Sequence, residues 1–164
     1  MSARLARTLL VAAIALWVSL VAFGNLTDYG SNWQFVRHVL AMDTIFPGAG
    51  IRYRAIHSPL LQHAAYALII AVEALAGALC WIGAWRMWRA RRADAAAFHR
   101  AKRIAVAGLS AGLLLWLGGF MAIGGEWFGM WMSTQWNGLE SAFRFAAVLL
   151  AALIYLGQPD DGPD

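Results

Sequence analysis

The chain has 164 residues, 61% of them hydrophobic and only 13% charged, with a mean hydropathy of +0.58. Soluble domains carry about 25% charged residues, so this composition excludes an ordinary water-soluble fold and indicates a polytopic membrane protein. The net charge of +4 and the pI near 9.8 would suggest a nucleic-acid partner in a soluble chain; here the basic residues fall between apolar runs, where they set topology, and no nucleic acid is expected.

Four stretches reach the roughly 17–25 apolar residues that a spanning helix needs: about Thr8–Gly24, Leu60–Trp85, Ile104–Gly125 and Leu139–Gly157. The expected fold is all-α, a four-transmembrane-helix bundle forming one membrane domain over residues 1–157, followed by a short acidic tail over 158–164. The first span carries Ala12, Ala15, Ser19 and Ala22 on one side. Arg4 and Arg7 ahead of it also resemble the start of a signal peptide, but Phe23 and Asn25-Leu26-Thr27-Asp28 make a poor small-residue cleavage site, so the stretch is read as a span.

The outer loop from Asn25 to Pro59 is too long and too patterned to be a plain linker. Ser31-Asn32-Trp33-Gln34 fits a capping box and predicts a short interfacial helix from Ser31 to about Met42, with Trp33, Val36 and Leu40 on one side and Gln34 and His38 away from it. Phe46-Pro47-Gly48 turns the chain. Ser58-Pro59 supplies a cap and a first-turn proline for the second span.

Within the second span Glu73 is the costly residue, since a charge at the bilayer centre costs on the order of 2.5–3.5 kcal/mol even on lenient scales. It stands eleven residues past Gln62, about 17 Å along a helix, which predicts a depth close to the midplane. Gln62, Tyr66, Glu73, Gly77 and Cys80 share one helical stripe, which should face the bundle. Glu73 reads either as a protonated lock hydrogen-bonded to a neighbour or as a proton- or ligand-carrying group. Cys80 is the sole cysteine, so no internal disulfide forms.

On the third span Gly112, Gly119 and Glu126 repeat every seven residues, with Gly108 four before Gly112, a spacing that lets a helix approach closely beneath a carboxylate. Glu126 is a candidate for pairing with Arg144 or for capping the fourth helix. The turn from Gly124 to Gly138 is dense in aromatic rings. Trp127 and Trp131 read first as an interfacial belt, because indole is apolar yet keeps an N–H that wants a wet partner, and second as a stacking wall for a ligand. On the fourth span Glu140 and Arg144 share a face with Ala147 and Ala151.

Membrane bundles often hold haem between two histidines on facing helices. His38, His57 and His63 lie outside the spans or at their outer end, and His99 lies in the basic loop, so no pair sits at matched depth and no haem is expected. His38, His57, His63, Asp43 and Glu126 match no established metal-ligand spacing, so no metal and no other cofactor is expected. There is no nucleotide-binding glycine loop, nucleophile elbow or zinc-binding HExxH helix, and the chain does not read as an enzyme.

Three segments resemble a known family: Asn25-Leu26-Thr27-Asp28-Tyr29; Phe35-Val36-Arg37-His38-Val39-Leu40-Ala41-Met42-Asp43-Thr44; and Gly124-Gly125-Glu126-Trp127-Phe128-Gly129-Met130-Trp131 with Trp136-Asn137-Gly138. The family is that of bacterial predicted small integral membrane proteins, domain of unknown function 2165, and the similarity runs from about Leu5 to Tyr155. The resemblance implies a four-span protein of the bacterial inner membrane. It implies no activity, cofactor or site residue.

Two functions follow from the residues. The first is a non-enzymatic accessory, assembly or docking subunit that lies in the lipid bilayer and uses Trp33, Trp127, Trp131 and Trp136 to meet a membrane-protein partner, a second copy of the chain or lipid. The second is a module binding a quinone-like small molecule, or one linked to redox chemistry, in a polar pocket in the outer half of the bundle, drawn from Glu73, Glu126, Arg144, Trp127, Trp131 and His38. The residues favour the first.

Nine basic residues fall before the first span or between the second and third, against three in the outer loop, and Arg144 lies within the fourth. By the positive-inside bias both termini are cytoplasmic. Reporter fusions at residue 93 and at the C-terminus are expected to read as cytoplasmic and one at Gly48 as periplasmic; a periplasmic signal at residue 93 would reverse the topology.

Overall fold

At membrane depth a backbone amide finds no water, so apolar runs of this length satisfy themselves as helices. The computed structural model describes residues 3–159 and has α1 (Ala3–Thr27), α2 (Tyr29–Ala41), α3 (Pro59–Ala90), α4 (Ala95–Leu113) and α5 (Leu139–Gly157). α4 continues without a break as a π-helical segment, Leu114–Trp127. Single 3-10 turns stand at Arg52–Arg54 and Met130–Met132. α1, α3, α4 with its π segment, and α5 are each long and apolar enough to span a membrane. Asp160, Asp161 and Asp164 lie outside the described residues.

α3 is the central helix, packed against both α1 and α4. Small residues make this possible, because lipid tails are as apolar as leucine and helices associate in lipid mainly by close van der Waals contact. A Cβ on Gly83 would sit 2.5 Å from the Ala105 backbone nitrogen, one on Gly108 would sit 2.9 Å from the Ala76 carbonyl oxygen, and one on Gly77 would meet Ser19 Oγ at 2.9 Å. Ala15 and Ala22 are buried on the expected side of α1. α5 joins through Phe145, whose ring stacks between Trp17 at 4.0 Å and Trp116 at 4.2 Å. Leu16, Leu20, Leu75, Leu117, Leu150 and Ile154 point outward, as a lipid-facing surface requires.

At one end of the bundle, called here the basic end, three cations are buried rather than solvated: Arg4, Arg7 and Lys102 are each no more than 4% exposed. They serve helix C-termini, where carbonyls lack intrahelical partners and the dipole favours positive charge. Arg4 donates to the carbonyls of Ala93 at 2.6 Å and Arg91 at 3.3 Å, while Lys102 Nζ donates to Leu156 O at 2.8 Å and Arg7 to Pro159 O at 3.1 Å. The end of α5 and Pro159 are thereby tied to α4 and α1. Asp94 caps α4 by accepting from the Ala97 N–H at 2.7 Å.

The opposite end is closed by α2 and the two loops. Met42, Ile45 and Phe128 form a small core between them. Trp136 stacks on His38 at 4.7 Å and meets Phe35 edge-on, and Thr44 Oγ1 lies 2.9 Å from Ser133 Oγ. α2 and the turn between the π segment and α5 therefore fold against one another. α2 ends at Met42, a left-handed C-cap with φ 51°; its fully buried side chain anchors a conformation that non-glycine residues rarely adopt.

Two expectations, the capping box and the glycine stripe, are corrected. The capping box at Ser31 does not form: α2 starts two residues earlier, at Tyr29. The Asp28 N–H already donates to Gly24 O and the Asn32 N–H to Asp28 O, so α1 runs almost directly into α2 and leaves fewer orphan donors for a box to satisfy. Glu140, Arg144, Ala147 and Ala151 do share one face of α5; it points outward, and the helix packs through Ala142, Ala146, Leu149, Ala152 and Leu156. The seven-residue stripe of Gly112, Gly119 and Glu126 breaks because the helix changes at Leu114 to i→i+5 bonding, as in Phe128 N–H to Ile123 O at 3.0 Å. Each turn then holds more residues, and positions seven apart no longer share a face.

Gly83→Ala places a methyl against rigid backbone and is expected to cost about 1–3 kcal/mol, the usual range for overpacking. Gly24→Ala, where a Cβ meets nothing within 4 Å, should be neutral or stabilising by up to about 1 kcal/mol. Thermal unfolding in detergent compares the two; equal melting temperatures would show that the α3–α4 contact is not tight.

Candidate functional site

The costly carboxylate of α3 is buried and partnered. Glu73 is 2% exposed and its Oε2 accepts from Asn25 Nδ2 at 2.7 Å, while Tyr66 donates its hydroxyl to Asn25 O at 3.0 Å. Asn25 stands two residues from the end of α1, and Gly77, one turn further along α3, faces Ser19. Glu73 therefore lies level with the end of α1 nearest α2. The reason is that α3 begins at Pro59 alongside the cap, and its first turns pack on α2 rather than on α1. From Tyr66 an aromatic ladder leads to the surface: Tyr29 tilts against Tyr66 at 4.7 Å and bonds His63 Nδ1 at 2.7 Å, and His63 stacks on Trp33 at 4.5 Å.

On another face of the same helix is a cleft of about 550 Å3 between α2, α3 and the π segment. Val36 and Leu40 of α2, Leu68, Val72 and Leu75 of α3, and Leu115, Gly119 and Phe120 of the π segment line it, with Phe128 and Met130 at its outer end. Every lining residue is apolar or glycine. A separate hollow of about 460 Å3 beside α2 is polar, lined by Trp33, Arg37, Asp43, His57 and Gln62 among others. Trp33 Nε1 is buried and, among the described residues, has no acceptor.

The six residues singled out by sequence do not converge. Glu73 is in the bundle. Glu126 is exposed at the end of the π segment, and Arg144, also exposed, pairs with Glu140 on its own helix rather than with Glu126. Trp127 is 52% exposed beneath the Arg54 guanidinium, which lies 4.4 Å from its ring and donates to its carbonyl. Trp131 is half-exposed and meets Phe46 edge-on at 5.8 Å. His38 bonds Asp43 at 2.7 Å and stacks on Trp136. None of the six lines the apolar cleft. Among the described residues no three His, Cys, Asp or Glu side chains are grouped to hold a metal.

The cleft was missed by sequence because an apolar lining reads as ordinary span. The available signal was the paired glycines Gly118-Gly119 and Gly124-Gly125, which weaken α-helical preference locally. π-helical turns are rare and collect at functional sites.

Four apolar spans, a buried polar lock and a self-packed cap define a small integral membrane protein in contact with the lipid bilayer. The chain belongs to the family of predicted small integral membrane proteins, domain of unknown function 2165, whose model matches residues 3–159. No curated protein and no solved structure matches it.

Asn25→Leu strips the buried carboxyl of its donor and is expected to lower stability by about 1–3 kcal/mol. Glu73→Gln keeps size and an acceptor oxygen for Asn25 and should cost about 1 kcal/mol or less. Chemical denaturation in detergent measures both, and identical losses would show that the pair does not join α1 to α3.

Proposed function

We propose that this protein is a non-enzymatic binder of a membrane-dissolved amphiphile, holding one long hydrocarbon tail, such as that of an isoprenoid quinone or a lipid, in the cleft between α2, α3 and the π segment. The observation that carries this reading is the cleft's purely apolar lining. A water needs two to four polar partners, and this cleft offers almost none, so hydrocarbon is the occupant that suits it. Its volume falls in the roughly 300–1,000 Å3 range of small-molecule sites. Glu73, Asn25 and Tyr66 hold α1 to α3 behind it and keep one wall in place. In this reading the chain is a single membrane domain in a bacterial inner membrane, with the basic end and both termini cytoplasmic.

A second reading, docking to a membrane-protein partner, draws support from the outer surface. Tyr53, Arg54 and Trp127 form one exposed stack there and Phe46 and Trp131 another pair. Exposed aromatic rings and arginine are the side chains enriched at interface cores. Glu126, Arg144 and His38 would then serve as charges and hydrogen-bonding groups at the rim.

Protein purified in mild detergent and extracted with solvent is expected to yield about one long-chain molecule per chain by mass analysis. Ala65→Trp and Ala111→Phe, which fill the cleft from α3 and α4, should keep the wild-type melting temperature and lose that molecule. Retention by both filled variants would overturn the cleft as the site. Trp127→Ala combined with Trp131→Ala should leave the retained molecule untouched; loss of a larger native complex in that variant is the outcome the docking reading requires.

A further inference from the structure

At the basic end the exposed cations are not scattered evenly. Between Arg86 and Arg103 the chain carries seven basic residues and a single acidic one, Asp94, whose side chain is already occupied capping α4. Two of the seven behave differently from the rest: Lys102 is buried against the end of α5, and Arg91 bends back to donate to Trp88 O at 2.7 Å. Of the remainder, Arg86 and Arg89 on the last turns of α3 and Arg100 near the start of α4 line one hollow of about 440 Å3, together with Trp85. Its floor is made of the small residues Ala90, Ala97 and Ala101.

The hollow exists because of the packing below it. Gly83 against Ala105 draws α3 and α4 into close contact, and the alanines above that contact leave a shallow recess where larger residues would have filled it. Among the described residues Arg86, Arg89 and Arg100 make no hydrogen bond or ion pair, so their guanidinium donors are available. Arg89 is steadied instead by lying 5.1 Å over the Trp85 ring. Among the described residues no carboxylate lines the hollow to compete for them.

We infer that this hollow binds the phosphate-bearing head group of an anionic phospholipid in the leaflet at the basic end. Arginine presents a planar fork of donors that matches phosphate oxygens in pairs, and basic recesses between spanning helices at a cytoplasmic surface suit anionic head groups. The site belongs to a lipid rather than to a free anion because of its level in the membrane. Trp81, Trp85 and Trp88 are each about half-exposed along the same end of α3, marking the boundary at which indole rings collect. A phosphate held over Ala97 and Ala101 would have its acyl chains beginning at Trp85 and descending along the lipid-facing side of α3. This site lies at the other end of the bundle from the tail cleft and does not depend on it.

The test uses the full chain in a neutral detergent, titrated with cardiolipin, phosphatidylglycerol, phosphatidylcholine and inorganic phosphate, with binding read by native mass spectrometry. Cardiolipin and phosphatidylglycerol should bind and phosphatidylcholine should not. Arg89→Gln combined with Arg100→Gln should weaken anionic-lipid binding at least about tenfold. Arg92→Gln combined with Arg103→Gln removes the same charge outside the hollow and should change binding less than about threefold. Arg89→Lys combined with Arg100→Lys should recover part of the loss, since charge returns without the fork. Melting temperatures verify that all variants fold. Equal losses in the two glutamine pairs would overturn the site in favour of a diffuse charge effect. Wild-type binding of phosphatidylcholine as tight as that of cardiolipin would overturn it as well, as would displacement of the lipid by millimolar inorganic phosphate.

Discussion

The structure depends on how closely α3 approaches its two neighbours. In water, helices are driven together by burial of apolar surface, but inside a bilayer leaving lipid for protein gains little, and association rests on many short contacts and a few well-made polar ones. Gly77, Gly83 and Gly108 supply the short contacts, each at a place where a Cβ would fall within 3 Å of an atom on the partner helix. The Asn25–Glu73 bond supplies the polar one. Without that closeness α3 would not bring its polar stripe against α1, and an orphaned carboxyl at that depth would cost far more than a single hydrogen bond returns.

The two ends solve the problem of exposed helix termini by different means. At the basic end buried cations reach across the bundle to carbonyls: Arg4 to the α3–α4 turn, Lys102 and Arg7 to the end of α5. These cations are thus structural, whereas Arg86, Arg89 and Arg100 make no hydrogen bond among the described residues. At the other end the work is done by rings and backbone. α2 lies over the start of α3, and the Phe128–Trp136 turn folds back onto it through Phe35, His38 and Trp136. Many of the aromatic residues at this end are spent inside the cap, and the outward patch is smaller than the count of tryptophans suggests.

Much of this was legible in the sequence. Span number and position follow from hydropathy, which bilayer thickness makes nearly decisive. The buried stripe through Gln62, Tyr66, Glu73, Gly77 and Cys80 follows from a period of 3.6, and all five are buried. What failed did so where that period or a local motif was overridden. The Ser31 capping box yielded to direct continuation of α1 into α2. The glycine stripe of the third span yielded to a change of helix type, which a heptad spacing cannot reveal. Glu126 and Arg144 looked like a pair because both are charged and near the outer end, yet a partner four residues away on the same helix is in easier reach for Arg144.

The same change of helix type accounts for the cleft. Up to Gly112, α4 keeps α-helical geometry and lies tight against α3 through Gly108. From Leu114 the wider turn carries the chain toward α5, where Phe145 stacks on Trp116 and a Cβ on Gly125 would lie 2.8 Å from Leu139. α3 cannot follow, because Glu73 ties it to α1 on the opposite side. The gap that opens is bounded by Leu68, Val72 and Leu75 on one side and Leu115 and Phe120 on the other, and α2 covers its outer end. Glu73 and the π segment thus act on the same gap from opposite sides: one holds α3 back while the other draws the third span away. A polar residue that touches nothing in the cleft in this way helps set its width.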